Sequence, residues 1–272
     1  MEQTSDNASL ASELFMELAS ETRLSILTSL NERPAKLSSL SREVNTTVQD
    51  VYRNLNRMVQ EGLVRRSDGM FYMTEYGMLV MKQIPDFMFI KKHKKYFENH
   101  CLASVFPSKF LQRIGALHNC KTVNSATAVF QSLKKMQSSA TKSLKIIVSQ
   151  AWPEEGEIFI DRANHGVKIF SIIGQNTIFP KNVMENILPK MNTLASKGNM
   201  ERRMVEKVKV AAFIIDYREA ALTFPNTDDE VDMTTLFVGQ DSDFCDWCID
   251  YFDYVWKDSK PFDINKVKVV EY

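Results

Sequence analysis

The stretch "NTTVQDVYRNLNRMVQEGLV", Asn45 to Val64, decides how this chain is read. Apolar residues recur at helical spacing through it: Val48, Val51, Tyr52, Leu55, Met58 and Val59 fall on one side. The other side is polar. Asn45 suits a left-handed turn position, and Thr46 or Thr47 suits the N-cap of the helix that follows. A stripe of this kind is equally the mark of a solvated surface helix. Its neighbours must decide.

Working outward to the N-terminal side, "LSSLSREV" predicts a short helix with Leu37, Leu40 and Val44 inward. "NERP" (Asn31 to Pro34) breaks the chain before it. Ser20 predicts the N-cap of an earlier helix carrying Leu24, Ile26, Leu27 and Leu30. Leu14, Phe15 and Leu18 make one more apolar face, and the first eight residues are polar and expected to be disordered. On the C-terminal side, Val64 to Arg66 and Phe71 to Met73 read as two strands. Asp68-Gly69 between them is the strongest short hairpin signal. Thr74 predicts a cap for a helix running from Glu75 to about Asn99, kinked at Pro85.

Helix, helix, turn, helix, hairpin is the order of a winged helix-turn-helix, whose second helix keeps a polar face for the major groove. Here that face holds Thr46, Thr47, Gln49, Asp50, Arg53, Asn54 and Arg57. Gln49, Arg53 and Asn54 are expected at base edges. Thr46, Thr47, Arg57, Arg65 and Arg66 are expected at phosphates, with the wing tip at Asp68 and Gly69 on backbone or minor groove. "KKHKKYFENH" (Lys91 to His100) reads either as phosphate-binding or as the solvated end of a helix.

Beyond residue 104 strands and helices alternate. Ser143 to Gln150, Val167 to Gly174, Val208 to Asp216, Glu219 to Phe224 and Met233 to Gly239 read as strands. "PEEGEIFIDRANHG" and "DSDFCDWCIDYFDYVWKDS" read as helices. The fold class is therefore α+β in two domains, a winged helix over residues 9–98 and a mixed α/β sensor-type domain over 104–260, with a C-terminal tail at 261–272. The domain boundary is expected between residues 96 and 106.

Composition bounds the function. Lys+Arg and Asp+Glu number 34 each, so the whole chain is no polycation. The charge is uneven, however. Ser20 to Glu98 carries thirteen Lys/Arg against nine Asp/Glu, and Asn226 to Asp258 carries one against ten. The front of the chain suits a polyanion and the back repels one. The longest apolar candidate, "LVMKQIPDFMFI", is interrupted by Lys82, Pro85 and Asp86 and falls short of the roughly 18 residues a membrane span needs. With no signal-peptide pattern, a cytoplasmic protein with reduced thiols is expected.

The segments "SETRLSILTSL", "LSSLSREVNTTVQDVYRNLNRMVQEGLV" and "RRSDGMFYMTEYG" resemble the winged-helix module of archaeal and bacterial ArsR-type and TrmB-type regulators. "HCLASVFPSKFLQRIGALHNCKTV", "GVKIFSIIG", "VKVAAFIIDYREAALTFP" and "FCDWCIDYFDYVW" resemble the effector domain of archaeal methanogenesis-type transcriptional regulators. The resemblance implies an archaeal DNA-binding regulator acting as a homodimer on duplex DNA. Its activity would be modulated through the C-terminal domain by an effector the sequence does not name. The alternatives are a winged helix that docks on protein, or a redox- or metal-responsive regulator that uses its cysteines.

No enzymatic motif is found. The second half brings to mind phospholipase-D-like effector domains, but the required His-x-Lys-x4-Asp has no match, since position 100 after His93 and Lys95 is histidine. There is no Gly-rich phosphate loop and no Gly-x-Ser-x-Gly. Cys245 and Cys248 form a lone Cys-x-x-Cys in an aromatic helical pattern, which reads as packing before it reads as zinc. Cys101, His118 and Cys120 would have to join it in space. Neither cofactor nor metal is expected. An effector pocket is expected at strand ends near Gly174, Gln175 and Asn176, or around "DYRE" (Asp216 to Glu219).

Overall fold

A computed structural model describes residues 2–270, which form two compact units, residues 1–84 and 85–272. The first holds α1 (Glu2–Leu18), α2 (Glu21–Glu32), β1 (Ala35–Lys36), α3 (Leu37–Glu43), α4 (Val48–Gln60), β2 (Val64–Ser67), β3 (Met70–Met73) and α5 (Glu75–Met81). The local signals act as physics requires. Ser20, Thr47 and Thr74 each accept a hydrogen bond from the backbone N–H three residues on, capping α2, α4 and α5. Asn45 takes φ +49° and lets α3 turn into α4. Asp68 and Gly69 take φ +50° and +75°, the pair of positive angles that a two-residue hairpin turn demands. β1 adds a third strand, in the order β1-β3-β2.

The core of this unit joins Ile26, Leu27 and Leu30 of α2 to Leu40 of α3, to Val51, Leu55 and Met58 of α4, and to Phe71 of the hairpin. The apolar stripe of α4 is therefore narrower than the sequence suggested. Val48, Tyr52 and Val59 are 49%, 44% and 37% exposed, because they lie toward the polar edge of the helix, away from the Val51–Leu55–Met58 line. Residues 2–8, expected to be disordered, continue α1 as helix. Leu14 and Leu18 pack on the core and nucleate it, and extending a nucleated helix is cheap.

The second unit begins with α6 (Ile84–Lys92), α7 (Lys94–Phe97) and α8 (Ser108–Leu111), then β4 (Lys121–Asn124), α9 (Ala126–Ser138), β5 (Ser143–Gln150) and α10 (Pro153–Asn164). It continues through β6 (Lys168–Pro180), α11 (Leu188–Ser196), β7 (Met200–Val205), β8 (Ala211–Ile215), β9 (Glu219–Thr223), β10 (Thr235–Gly239), α12 (Ser242–Asp258), β11 (Lys260–Pro261) and β12 (Lys268–Val270). The expected long helix from Glu75 is thus three helices, interrupted before Pro85 and again at His93. The division also lies earlier than expected. Phe89, Tyr96 and Phe97 pack with Phe224 and Phe237 of the second unit, so residues 85–98 are held there.

The sheet runs β11-β7-β6-β5-β8-β9-β10-β4, with β12 pairing the far end of β6. β5, β6 and β7 are parallel to one another; β8, β9, β10 and β4 continue antiparallel. Period-two alternation assigns each strand residue a face. Leu144, Ile146, Val148, Phe213 and Ile215 pack with α9, α10 and α11. Ile147, Ile172, Ala212 and Ile214 pack with α12 and with Phe106, Phe110 and Ile114. The result is three layers, helix on sheet on helix. β6 runs past the expected end at Gly174, so residues 174–176 are strand interior rather than a pocket-forming turn.

Candidate nucleic-acid interface

The exposed surface of α4 is built by the same periodicity that buries Val51, Leu55 and Met58. Thr47, Gln49 and Arg53 are exposed at its N-terminal half, with Thr46 and Asp50 half-buried. Thr47 Oγ1 accepts from the Asp50 N–H at 3.1 Å and donates to the Asp50 carboxylate at 2.7 Å. Asp50 also accepts from Arg53 at 2.9 Å. This small polar group orders the first turn, where three backbone N–H groups point outward without intrahelical partners. The Gln49 amide makes no hydrogen bond among the described residues.

Two of the expected DNA contacts, Asn54 and Arg57, have partners within the fold, although Arg57 stays exposed. Arg57 Nε donates to both oxygens of Glu17 at 2.9 and 2.8 Å, and Glu17 is only 5% exposed. Asn54 donates to the Asp50 carbonyl at 2.9 Å and accepts from Arg23 at 3.4 Å. Arg23 in turn donates to the carbonyls of Glu17 and Met16 at 2.7 and 2.8 Å. At 100° per residue, Asn54 lies between the exposed and buried faces of α4, whereas Arg57 falls between Arg53 and Asp50 on the exposed face and reaches α1 by the length of its side chain. Both tie α4 to α1 and α2, so a DNA contact by Asn54 or Arg57 would have to compete with these partners. No local pattern signals this, since Glu17 lies forty residues upstream of Arg57.

The hairpin supplies two more cations. Arg65 and Arg66 are exposed; the Arg65 guanidinium stands 4.2 Å from the centre of the Tyr72 ring, its cross-strand partner, and Arg66 stands 5.7 Å from that of Phe71. At the tip, Ser67 donates to Asp68 at 2.9 Å. The base of the wing is clasped by Thr74, whose hydroxyl reaches the carbonyls of Gly62 and Leu63 at 2.6 and 3.1 Å. Gly77 permits that closeness: a Cβ there would lie 2.3 Å from the Leu63 carbonyl oxygen.

In the second unit the other candidates resolve into structure. Asp216 and Tyr217, at φ +53° and +58°, turn β8 into β9. The Asp216 carboxylate accepts from the backbone N–H groups of Thr141, Lys142 and Ser143 and from the Thr141 hydroxyl at 2.8 to 3.2 Å, pinning the start of β5. Burial works to raise its pKa, but those donors outweigh it and hold the carboxyl below its ordinary value. Cys245 and Cys248 lie buried on α12 among Trp247 and Phe252, and burial pushes Cys245 up to about 11 and Cys248 well above the usual thiol value. Cys120 Sγ stands 3.7 Å from His93 Nε2. Among the described residues no group of three His, Cys, Asp or Glu side chains could hold a metal ion. Of the basic run, Lys92 is committed to the Cys120 carbonyl at 3.2 Å, while Lys91, Lys94 and Lys95 are exposed. Among the described residues no helix is long and apolar enough to cross a membrane.

Two family models match the chain, one on each unit. Residues 12–92 match the HVO_A0261 N-terminal domain, and residues 127–258 match the middle domain of the methanogenesis regulatory protein FilR1. The two matches lie in tandem along the chain. No curated protein sequence matches it. Among solved structures, the archaeal chromatin protein TrmBL2 is 14% identical, with 89% of this chain and 93% of that one covered at a TM-score of 0.43. The phospholipase D family member Nuc from Salmonella typhimurium is 12% identical over 53% of this chain and 97% of its own, at 0.40. NucT from Helicobacter pylori is 18% identical over 52% and 100%, at 0.39. Likenesses this slight say nothing of what the present chain binds.

Proposed function

We propose that the chain is a DNA-binding transcriptional regulator, with α4 in the major groove and the β2–β3 wing on the backbone. The observation that carries this reading is the N-terminal half of α4, where Thr47, Gln49 and Arg53 stand exposed beside outward backbone N–H groups. Gln49 has the paired donor and acceptor that adenine requires, and Arg53 the fork that guanine or phosphate requires. Its present partner, Asp50, is an exposed ion pair worth at most about 1 kcal/mol, which DNA can displace. Arg65 and Arg66 supply charge for phosphate. The regulator named in the second family model supports the same reading.

Action as a homodimer on a two-fold site, with the second unit modulating DNA occupancy, completes the proposal. Leu10, Met16, Tyr76 and Leu79, all exposed on α1 and α5, are suitable dimer contacts. The test is binding to the DNA upstream of the chain's own gene across a series of salt concentrations. Affinity should fall steeply with salt, and Gln49→Ala with Arg53→Ala should weaken it without unfolding the protein.

A second reading rests on Val48, Tyr52 and Val59, which expose apolar surface along the same side of α4. A protein partner would cover that strip. This reading expects no salt-dependent affinity for any duplex.

A further inference from the structure

Between the sheet and helices α10 and α11 lies a narrow cleft of about 40 Å³ that opens into a wider mouth. Its floor is Ile146 and Val148 of β5 with Ser171 and Ile173 of β6; Trp152, Phe159, Phe179 and Phe262 line it too. Beside the polar Gln150 and Ser171, two ionisable side chains enter this mostly apolar lining, Glu155 from α10 and Arg202 from β7. A guanidinium keeps its proton in any protein environment, so Arg202 is a fixed positive charge facing an apolar space.

Arg202 is only partly accounted for. One terminal nitrogen donates to Asn192 of α11, and the guanidinium carbon lies 4.6 Å from the centre of the Phe262 ring. Its Nε and its other terminal nitrogen are buried and have no hydrogen-bond partner among the described residues. Its neighbour Arg203 has the opposite disposition, stacked at 4.6 Å on Trp256 of α12 across the sheet. A buried donor left without an acceptor is costly, and more so when charged, so such an arrangement points to a group that completes it.

Glu155 does not complete it. Its carboxylate takes a hydrogen bond from Gln137 at 2.7 Å, and no ion pair joins it to Arg202 among the described residues. Burial pushes its carboxyl up to about 7, so its negative charge is reduced at neutral pH and lost below it.

We propose that the cleft binds a small amphipathic organic acid, its carboxylate against the unpartnered N–H groups of Arg202 and its apolar body among Trp152, Phe159 and Phe179. A single carboxylate matches the single uncompensated cation. A phosphate dianion would bring more charge than one guanidinium offsets. Met191 and Met200, both on the lining, are flexible enough to fit bodies of different length. The inference concerns the second unit alone and stands whether or not α4 reads DNA.

The experiment uses the full chain at pH 7 with straight-chain monocarboxylates from acetate to octanoate, and the alcohols of matching length as uncharged controls. Thermal midpoint and tryptophan fluorescence are read. A saturable rise in midpoint is expected, greatest at one intermediate length, with each alcohol at least about tenfold weaker than its acid. Arg202→Met, which keeps the bulk and removes the charge, should weaken the best acid by about tenfold or more. Alcohols binding as well as acids, no acid shifting the midpoint, or undiminished binding by Arg202→Met would each overturn the proposal. Should that variant fail to fold, the comparison of acid with alcohol on the unaltered chain still decides. DNA binding is scored separately on the same preparation, so failure here is distinguishable from failure of the regulator reading.

Discussion

Glu17, at the end of α1, holds Arg57 of α4 through two hydrogen bonds from one guanidinium nitrogen, and holds Arg23 of α2 at 3.7 Å. One nearly buried carboxylate thus ties together three helices. Arg57→Ala should therefore act on stability before it acts on DNA. It strands the Glu17 charge with a single partner, and removing one member of such a pair costs more than the pair is worth. A fall in thermal midpoint is expected, with part of the loss recovered by Glu17→Gln in the same chain. Arg57→Ala with an unchanged midpoint would show that the contact matters little.

Glu17 also sets an acid limit. The hydrogen bond from Arg57, aided by the charges of Arg57 and Arg23, outweighs burial and keeps its carboxyl below the ordinary 4.5. A carboxyl depressed in the folded state contributes stability that is present above the unfolded value and lost as pH falls through the folded one. Stability measured downward from about pH 5 should fall more steeply for the native chain than for Glu17→Gln. Parallel curves would refute it.

On the reading face, Gln49→Ala and Arg53→Ala should each cut affinity for a specific duplex by about 1–3 kcal/mol while leaving the thermal midpoint alone. Arg65→Ala with Arg66→Ala should weaken all sequences alike and reduce the slope of log affinity against log salt by about 2. Titrations at several salt concentrations separate the two classes.

Asp216 accepts from four donors at the start of β5, and its side chain is 4% exposed. Asp216→Ala should destabilise the second unit by about 1–3 kcal/mol for the stranded backbone groups, with a further cost for alanine at positive φ. Denaturant melts check this. The loss should appear without any change in DNA affinity of the folded protein.

Glu155 behaves oppositely to Glu17. Its carboxyl is raised by burial to about 7 despite the hydrogen bond from Gln137. Folding therefore favours its protonated form, and stability declines as pH rises from the unfolded value through about 7. Glu155→Gln keeps an acceptor for Gln137 and removes the charge. Its thermal midpoint should exceed that of the native chain at pH 8 and converge with it near pH 5. Equal midpoints at both pH values would contradict the assignment.

The sequence was legible wherever one local rule decides the outcome. Ser20, Thr47 and Thr74 name helix starts, Asp68-Gly69 names the hairpin, and the run Ser143 to Gln150 names a buried strand. It was less legible where distant residues decide. Asn54 and Arg57 look identical to Arg53 on a helical wheel of polarity, and only Glu17 and Arg23 distinguish them. β7 and β12 were missed for a related reason. "MERRMV" carries too many charges to look like a strand, yet its main chain is claimed by β6 and β11, and Arg202 alone among its charges lines the cleft. The tail, expected only as residues 261–272 beyond the second domain, supplies β12 through Lys268–Val270, while Glu271 and Tyr272 lie outside the described residues.

That last strand has a consequence for synthesis. The hydrophobic core of the first unit draws on residues up to Met81, so it is complete when less than a third of the chain has left the ribosome. The sheet of the second unit is ordered quite differently. β6 finds its partners β7 and β12 only as later segments emerge, and β4 waits for β10 more than a hundred residues downstream. The front of the chain is thus able to mature while the back remains an open, edge-exposed sheet. The first unit would thus complete α4 and its wing before the sheet of the second unit exists.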